Sequence, residues 1–145
     1  MMRFKSVNSR VDVTSKRPIN DLPRLKRGMH SAMYCAGRSH VLKLRRSLGQ
    51  GTRSCNPYNF RGRRIIASAP GEFPALRSGD LLKSTAYKVH SHNEFEFGDQ
   101  VFYGRFLEEG TKKMSPRPHL LPIVADEEKN TDNYLLTETD RALKS

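Results

Sequence analysis

The sequence predicts an α+β domain: a long N-terminal amphipathic helix and a C-terminal helix packed on a small antiparallel sheet, with a long basic loop between first helix and sheet. Three observations carry this. Apolar residues recur at helical spacing from Leu22 to Leu48, side chains alternate on either side of a turn between Tyr87 and Phe97, and a second helical apolar pattern follows Pro118.

Residues 1–20 alternate weakly, carry Pro18 and read as a flexible basic arm; their Arg- and Ser-rich composition is also that of a transit peptide. The domain proper is expected over residues 21–145. Leu22, Leu25, Met29, Met33, Ala36, Leu44 and Leu48 form one stripe, widened by Ala32 and Val41. Asp21 is placed to cap this helix, Pro23 is tolerated in its first turn, and Gly49 stands where a left-handed terminator is wanted. Residues 49–78 are rich in Gly, Pro, Ser, Asn and Arg, broken only by Ile65-Ile66-Ala67, which reads as a short strand. A connection of that length is an assembly loop or conceals an element.

Ser78 to Ser84 then supplies one helical turn. Tyr87 and Val89 share one strand face, Phe95 and Phe97 another, and the two strands join near Ser91 to Asn93. Gly98-Asp99 marks the next turn, and Val101-Phe102 opens either a third strand or the approach to a short helix over residues 103–109. Leu120, Leu121, Ile123, Val124, Tyr134, Leu135, Leu136, Ala142 and Leu143 form the final helix, with Glu127 to Asn133 as a solvated face or a break.

The net charge of +11 is unevenly placed. Residues 1–66 hold 16 Lys and Arg against Asp12 and Asp21, a net of +14, whereas residues 67–145 hold ten against 13 acids, a net of −3. Such polarity predicts contact with a polyanion or with acidic surfaces. Arg45, Arg46, Arg53, Arg61, Arg63 and Arg64 are the candidates for a DNA-facing or neighbour-facing surface. Tyr34, Tyr58 and Phe60 lie among the basic residues and suit stacking on bases, yet no sequence-reading module accompanies them.

Cys35 and Cys55 are too few for a disulfide framework and fit a reducing compartment. No apolar run approaches the roughly 18 residues of a membrane span. His90 and His92 lie two apart on a strand, but nothing completes a metal-ligand spacing, so no metal and no cofactor are expected. His92-Asn93-Glu94 lacks the Pro-Cys-x-x-Cys of a zinc deaminase, and Gly49-Gln50-Gly51-Thr52 lacks the Lys of a phosphate loop. Glu108 and Glu109, adjacent on a helix, point about 100° apart and make a poor acid pair. No activated nucleophile is marked, so an enzyme is not expected.

Three separated stretches resemble the small neck or tail-completion proteins of tailed bacteriophages. They are Pro70 to Ser84, with Gly79, Leu81 and Ser84 in a Ser-Gly-x-Leu-x-x-Ser frame; Tyr103 to Thr111, with Tyr103, Glu108, Gly110 and Thr111; and Ser115 to Pro122, with Pro116 and Pro118. Their order and spacing are similar to the family's over residues 70–125. The chain departs from the family's usual Phe at Glu109 and at His119. The resemblance implies a structural virion subunit in a homo-oligomeric ring, six copies by expectation. That ring would lie between a head-closure or connector ring and the tail tube, extend the DNA conduit, and be assembled in the host cytoplasm. A tail terminator is the alternative within the class. A basic nucleic-acid-binding or ribosome-like protein is the alternative outside it.

Overall fold

The computed structural model describes residues 21–51 and 53–145, so the arm expected over residues 1–20 lies outside the described residues. Over the described residues the architecture is α+β: four helices, two of them long, and two separate two-stranded antiparallel sheets.

Helix α1, Leu22–Gly49, is the spine. Pro23 sits in its first turn, where no intrahelical N–H bond is lost. Asp21 does not cap it: the residue's backbone is already helical (φ −87°, ψ −1°) and its carboxylate makes no capping bond. Gly49 is not the left-handed terminator either. The chain leaves through Gln50 at φ −96°, whose N–H donates to the Arg46 carbonyl.

One face of α1 receives α4, Leu121–Lys144, which runs antiparallel to it. Lys43 near the end of α1 pairs with Asp126 (3.4 Å) and Glu127 (3.1 Å) near the start of α4. Ser39 donates to Glu127 (2.6 Å) and Ser31 to Glu138 (2.8 Å). The polar middle of α4 is therefore no break: Glu127 is buried and turned inward, bonded by Ser39, Lys43 and Asn130. Burial alone would raise its carboxyl, but those three partners hold it below the usual range.

At the other end the helices nearly touch. A Cβ built on Gly28 would lie 2.8 Å from the Glu138 carbonyl oxygen and 2.9 Å from the Ala142 Cβ. Gly28→Val should push the helices apart and lower stability by about 1–3 kcal/mol. A urea midpoint equal to wild type would show that the close approach is not required.

The same buried stripe of α1 also holds a hairpin of β3, Ala86–Ser91, and β4, Glu94–Gly98. Phe95 and Phe97 point inward, edge-on and tilted against His40, with ring centroids at 5.3 and 4.7 Å. His40 donates from Nδ1 to the Ala36 carbonyl (2.8 Å), and burial lowers its pKa, so it serves as a neutral core side chain. Ala32, Met33, Ala36, Leu44, Leu48, Leu120 and Ile123 complete this core. The pairing slips between Val89 and Ser91, and His92 lies in the turn. His90 and His92 therefore do not share a strand face; His90 contacts Glu96 (3.1 Å) instead.

The loop expected over residues 49–78 contains a second hairpin, β1 (Tyr58–Phe60) and β2 (Arg63–Ile65), of which only Ile65 falls in the expected strand. Its two-residue turn places Arg61 at φ 49° and Gly62 at φ 75°. Two successive left-handed residues are the type I′ turn that matches strand twist. Arg-Gly is an unusual way to write it, so the signal is weak in sequence.

Helix α2, Asp80–Ser84, leads into β3, and α3, Gly104–Glu109, follows β4. Residues 101–103 approach α3 as a turn, not as a third strand.

Candidate functional site

Two features outside the core stand out, and they are physically joined. One is the projecting basic hairpin; the other is the segment from Asp99 to Leu121 that roots it.

The segment begins with α3, which presents Glu108 inward. At Gly110 the backbone takes φ 77°, ψ −177°, a region open in practice only to glycine. Thr111 and Met114 then close a tight turn through paired backbone bonds of 2.8 and 3.2 Å. Pro116 and Pro118 keep the returning chain extended, and Arg117 N–H donates to the Leu107 carbonyl (2.7 Å), laying it back along α3.

That return delivers the start of α4 to Glu108. Its carboxylate accepts the N–H groups of His119 (2.8 Å), Leu120 (3.0 Å) and Leu121 (3.0 Å). Leu120, the N-cap residue, has no side-chain acceptor, so the cap comes from 12 residues upstream. His119, fully buried, bridges two carboxylates. Its Nε2 is 2.9 Å from Asp99 Oδ2, and its Nδ1 is 3.0 Å from Glu108 Oε2. The Nδ1 contact is poorly aligned for a hydrogen bond and acts through charge.

Burial opposes ionisation of Glu108 and of His119, yet the contacts prevail. Burial would push Glu108 up, but the His119 ring and the three backbone N–H groups hold it down to about 2. Burial would push His119 down, but Asp99 and Glu108 raise it to about 9. The imidazole is thus a cation at neutral pH between two acids. Gly104 packs on Asp99, whose Oδ1 would lie 1.9 Å from any Cβ there. With His119 at 0% exposure, this cluster holds charge within the fold and presents none to a substrate.

The same segment grips the hairpin's root. Arg117 Nε donates to the Ser68 carbonyl (3.0 Å), and Gly71 N–H donates to the Pro116 carbonyl (3.0 Å). Across the root, Cys55 N–H meets the Ala67 carbonyl (3.0 Å), Cys55 Sγ–H the Ser68 carbonyl (3.1 Å), and Ser54 bonds Glu72. Beyond this root β1 and β2 pair with each other and make no more than glancing contact with the other elements. From Cys55 to the tip at Arg61 the arm reaches about 20 Å.

The register sorts its side chains. Tyr58, Ile65 and Arg63 share one face, and Asn59 and Arg64 the other. Arg63 and Arg64 are exposed and have no ion-pair partner among the described residues, and Tyr58 is 42% exposed. Arg53 stands at the root, donating to the Leu76 carbonyl (3.3 Å), and Arg61 forms the tip. Arg46 is exposed near the end of α1. Arg45, grouped with these by sequence, is exposed as well. Its guanidinium donates to the buried Thr85 Oγ1 and carbonyl oxygen (both 2.8 Å), and so pins α1 to the start of β3.

The other expected positions serve the fold. Gly79 adopts φ 84° to open α2, Leu81 packs on the core, and Ser84 Oγ closes the turn on the Leu81 carbonyl (2.8 Å). Tyr103 sits before α3, its hydroxyl pKa raised by burial and by Asp80 and Asp99. Glu109, turned outward, pairs with Arg105 (3.0 Å). Sequence reasoning missed Asp99, His119 and Arg117; the one available signal was the missing N-cap at Leu120, which calls for an acceptor from elsewhere.

No group of three or more His, Cys, Asp or Glu among the described residues is arranged to hold a metal ion, and none of the described helices is long and apolar enough to cross a membrane. A scan against protein-family models found no match, and searches of curated proteins and of solved structures found no similar chain.

Proposed function

We propose that this chain is a structural subunit of a phage neck or tail-completion ring, joining the head connector to the tail tube around the DNA conduit. The reading starts from the resemblance of residues 70–125 and carries the partners it implies: further copies of the chain, a head-closure ring, and a tail tube or terminator protein. The observation that supports it best is the basic arm. It is rooted by directed hydrogen bonds, and beyond its root its two strands pair chiefly with each other, which is the geometry of an element that completes itself against a neighbour. A structural role also suits the buried Asp99–His119–Glu108 cluster, which fixes the arm's root to α4 and offers no reactive group to solvent.

Deletion of the gene from its phage is expected to leave filled heads and separate tails that do not join. Infectious particles at normal titre from such a deletion would refute the assignment.

A second reading, a non-specific DNA-binding protein, is favoured by the run from Arg53 to Ile66, with four arginines and no acid. If each arginine neutralises one phosphate, affinity for duplex DNA should fall about 100-fold between about 50 and 200 mM salt. Retention independent of salt would exclude that mode.

A further inference from the structure

We infer that the outward face of α4 is the dock for the basic hairpin of a second copy of this chain, making a head-to-tail contact. The inference deepens the ring reading above and rests on it for closure of the assembly. The contact itself is argued from two surfaces of one molecule.

The first surface is the hairpin face that carries Tyr58, Ile65 and Arg63. Two apolar side chains and one cation lie side by side on an arm that the subunit's own elements barely touch. The second is the face of α4 opposite α1. Ile123 and Glu127 turn inward, whereas Glu128, Asp132 and Leu136, at spacings of four residues, line the outside. Leu136 is 57% exposed, and neither Glu128 nor Asp132 has an ion-pair partner among the described residues.

The two surfaces match in charge, in apolar content and in pitch. Side chains on one face of a strand repeat every 6–7 Å or so, and one helical turn advances about 5–6 Å. With Tyr58 and Ile65 over Leu136, Arg63 comes one step along, at Asp132 and within a further turn of Glu128. A basic site on one face and an acidic site on a different face of the same chain can repeat the same contact from copy to copy. They join heterologously, producing rings or open filaments.

The opposite strand face supplies a built-in control, because Arg64 carries the same charge and points away from the dock. Association of the full chain is to be measured by sedimentation at about 50 mM salt, where charge attraction is least screened. Arg63→Glu and Asp132→Arg should each weaken it by about tenfold or more, while Arg64→Glu should change it by less than about threefold. The double variant Arg63→Glu with Asp132→Arg should recover most of the loss, as should an equal mixture of the two single variants.

Three results would overturn the dock: equal losses for Arg63→Glu and Arg64→Glu, which diffuse charge attraction predicts; no recovery in the double variant; or a wild-type chain still monomeric at about 1 mM, the limit of weak association. Loss of DNA retention in both arginine variants, with self-association untouched, would assign the arm to DNA instead. The outcomes separate from those of the gene deletion. A normal deletion phage sinks the phage reading and leaves the charge-swap result standing, and a failed swap leaves the phage reading open to a different interface.

Discussion

Glu108→Ala should be the most damaging single substitution in this chain, lowering stability by about 3–5 kcal/mol. The change removes three effects together. Backbone N–H groups of His119, Leu120 and Leu121 lose their acceptor, the start of α4 loses its compensating negative charge, and the buried His119 cation keeps only Asp99. Glu108→Gln retains an acceptor without the charge and should fall between Ala and wild type. Urea unfolding of the three proteins provides the test, and an Ala variant within about 1 kcal/mol of wild type would mean that α4 starts without this cap.

The same cluster fixes a pH dependence. His119 is raised in the fold from 6.5 to about 9, so its contribution is complete below pH 6.5 and is lost as pH rises through about 9. Glu108 is lowered from 4.5 to about 2, so its contribution is complete above pH 4.5 and is lost as pH falls through about 2. The cluster therefore stabilises most between pH 4.5 and 6.5 and weakens on either side. In His119→Phe the alkaline fall should be much shallower, because the titrating cation is gone. A wild-type stability curve flat from pH 6 to 9.5 would contradict the buried imidazolium.

Gly110→Val is expected to rank second, with a loss of about 3 kcal/mol or more and a melting temperature lower by about 10 °C. At φ 77°, ψ −177° a β-branched residue is strained whatever the surroundings, and here the surroundings are also full. Its Cβ would lie 2.9 Å from the Met114 carbonyl oxygen and 3.0 Å from the Pro116 nitrogen. Relief requires the turn to open, which moves Pro116 and Arg117 and so disturbs both the hairpin's root and the α4 cap. The variant should accordingly show faster protease cleavage within residues 53–69 as well as lower stability. An unchanged melting temperature would remove the argument for this glycine.

His119 owes its place to the charge it carries. An uncharged imidazole would sit poorly beside two carboxylates, yet the charged ring meets both. Asp99, Glu108 and His119 lie on three different segments, brought together only when Gly110 and the two prolines reverse the chain. Nothing in the local spacing of these residues foretells that meeting. Arg45 shows the same dependence: beside Arg46 it reads as surface charge, and only the position of Thr85 relative to α1 gives its guanidinium two partners.

By itself the sequence determined the α+β class, the two long helices, the β3–β4 hairpin and the glycine requirement at residue 110, because these follow from periodicity and backbone sterics within a short window. The β1–β2 arm escaped it. Its strands are three residues each, and its turn is written Arg-Gly, so neither alternation nor turn chemistry is strong enough to read. The remote cap on α4 and the hydrogen bonds from Arg45 to Thr85 were decided only by the tertiary structure. The physical reason is common to both: a charged side chain's role depends on which backbone groups and which solvent it meets, and those are set by packing between segments far apart in the chain.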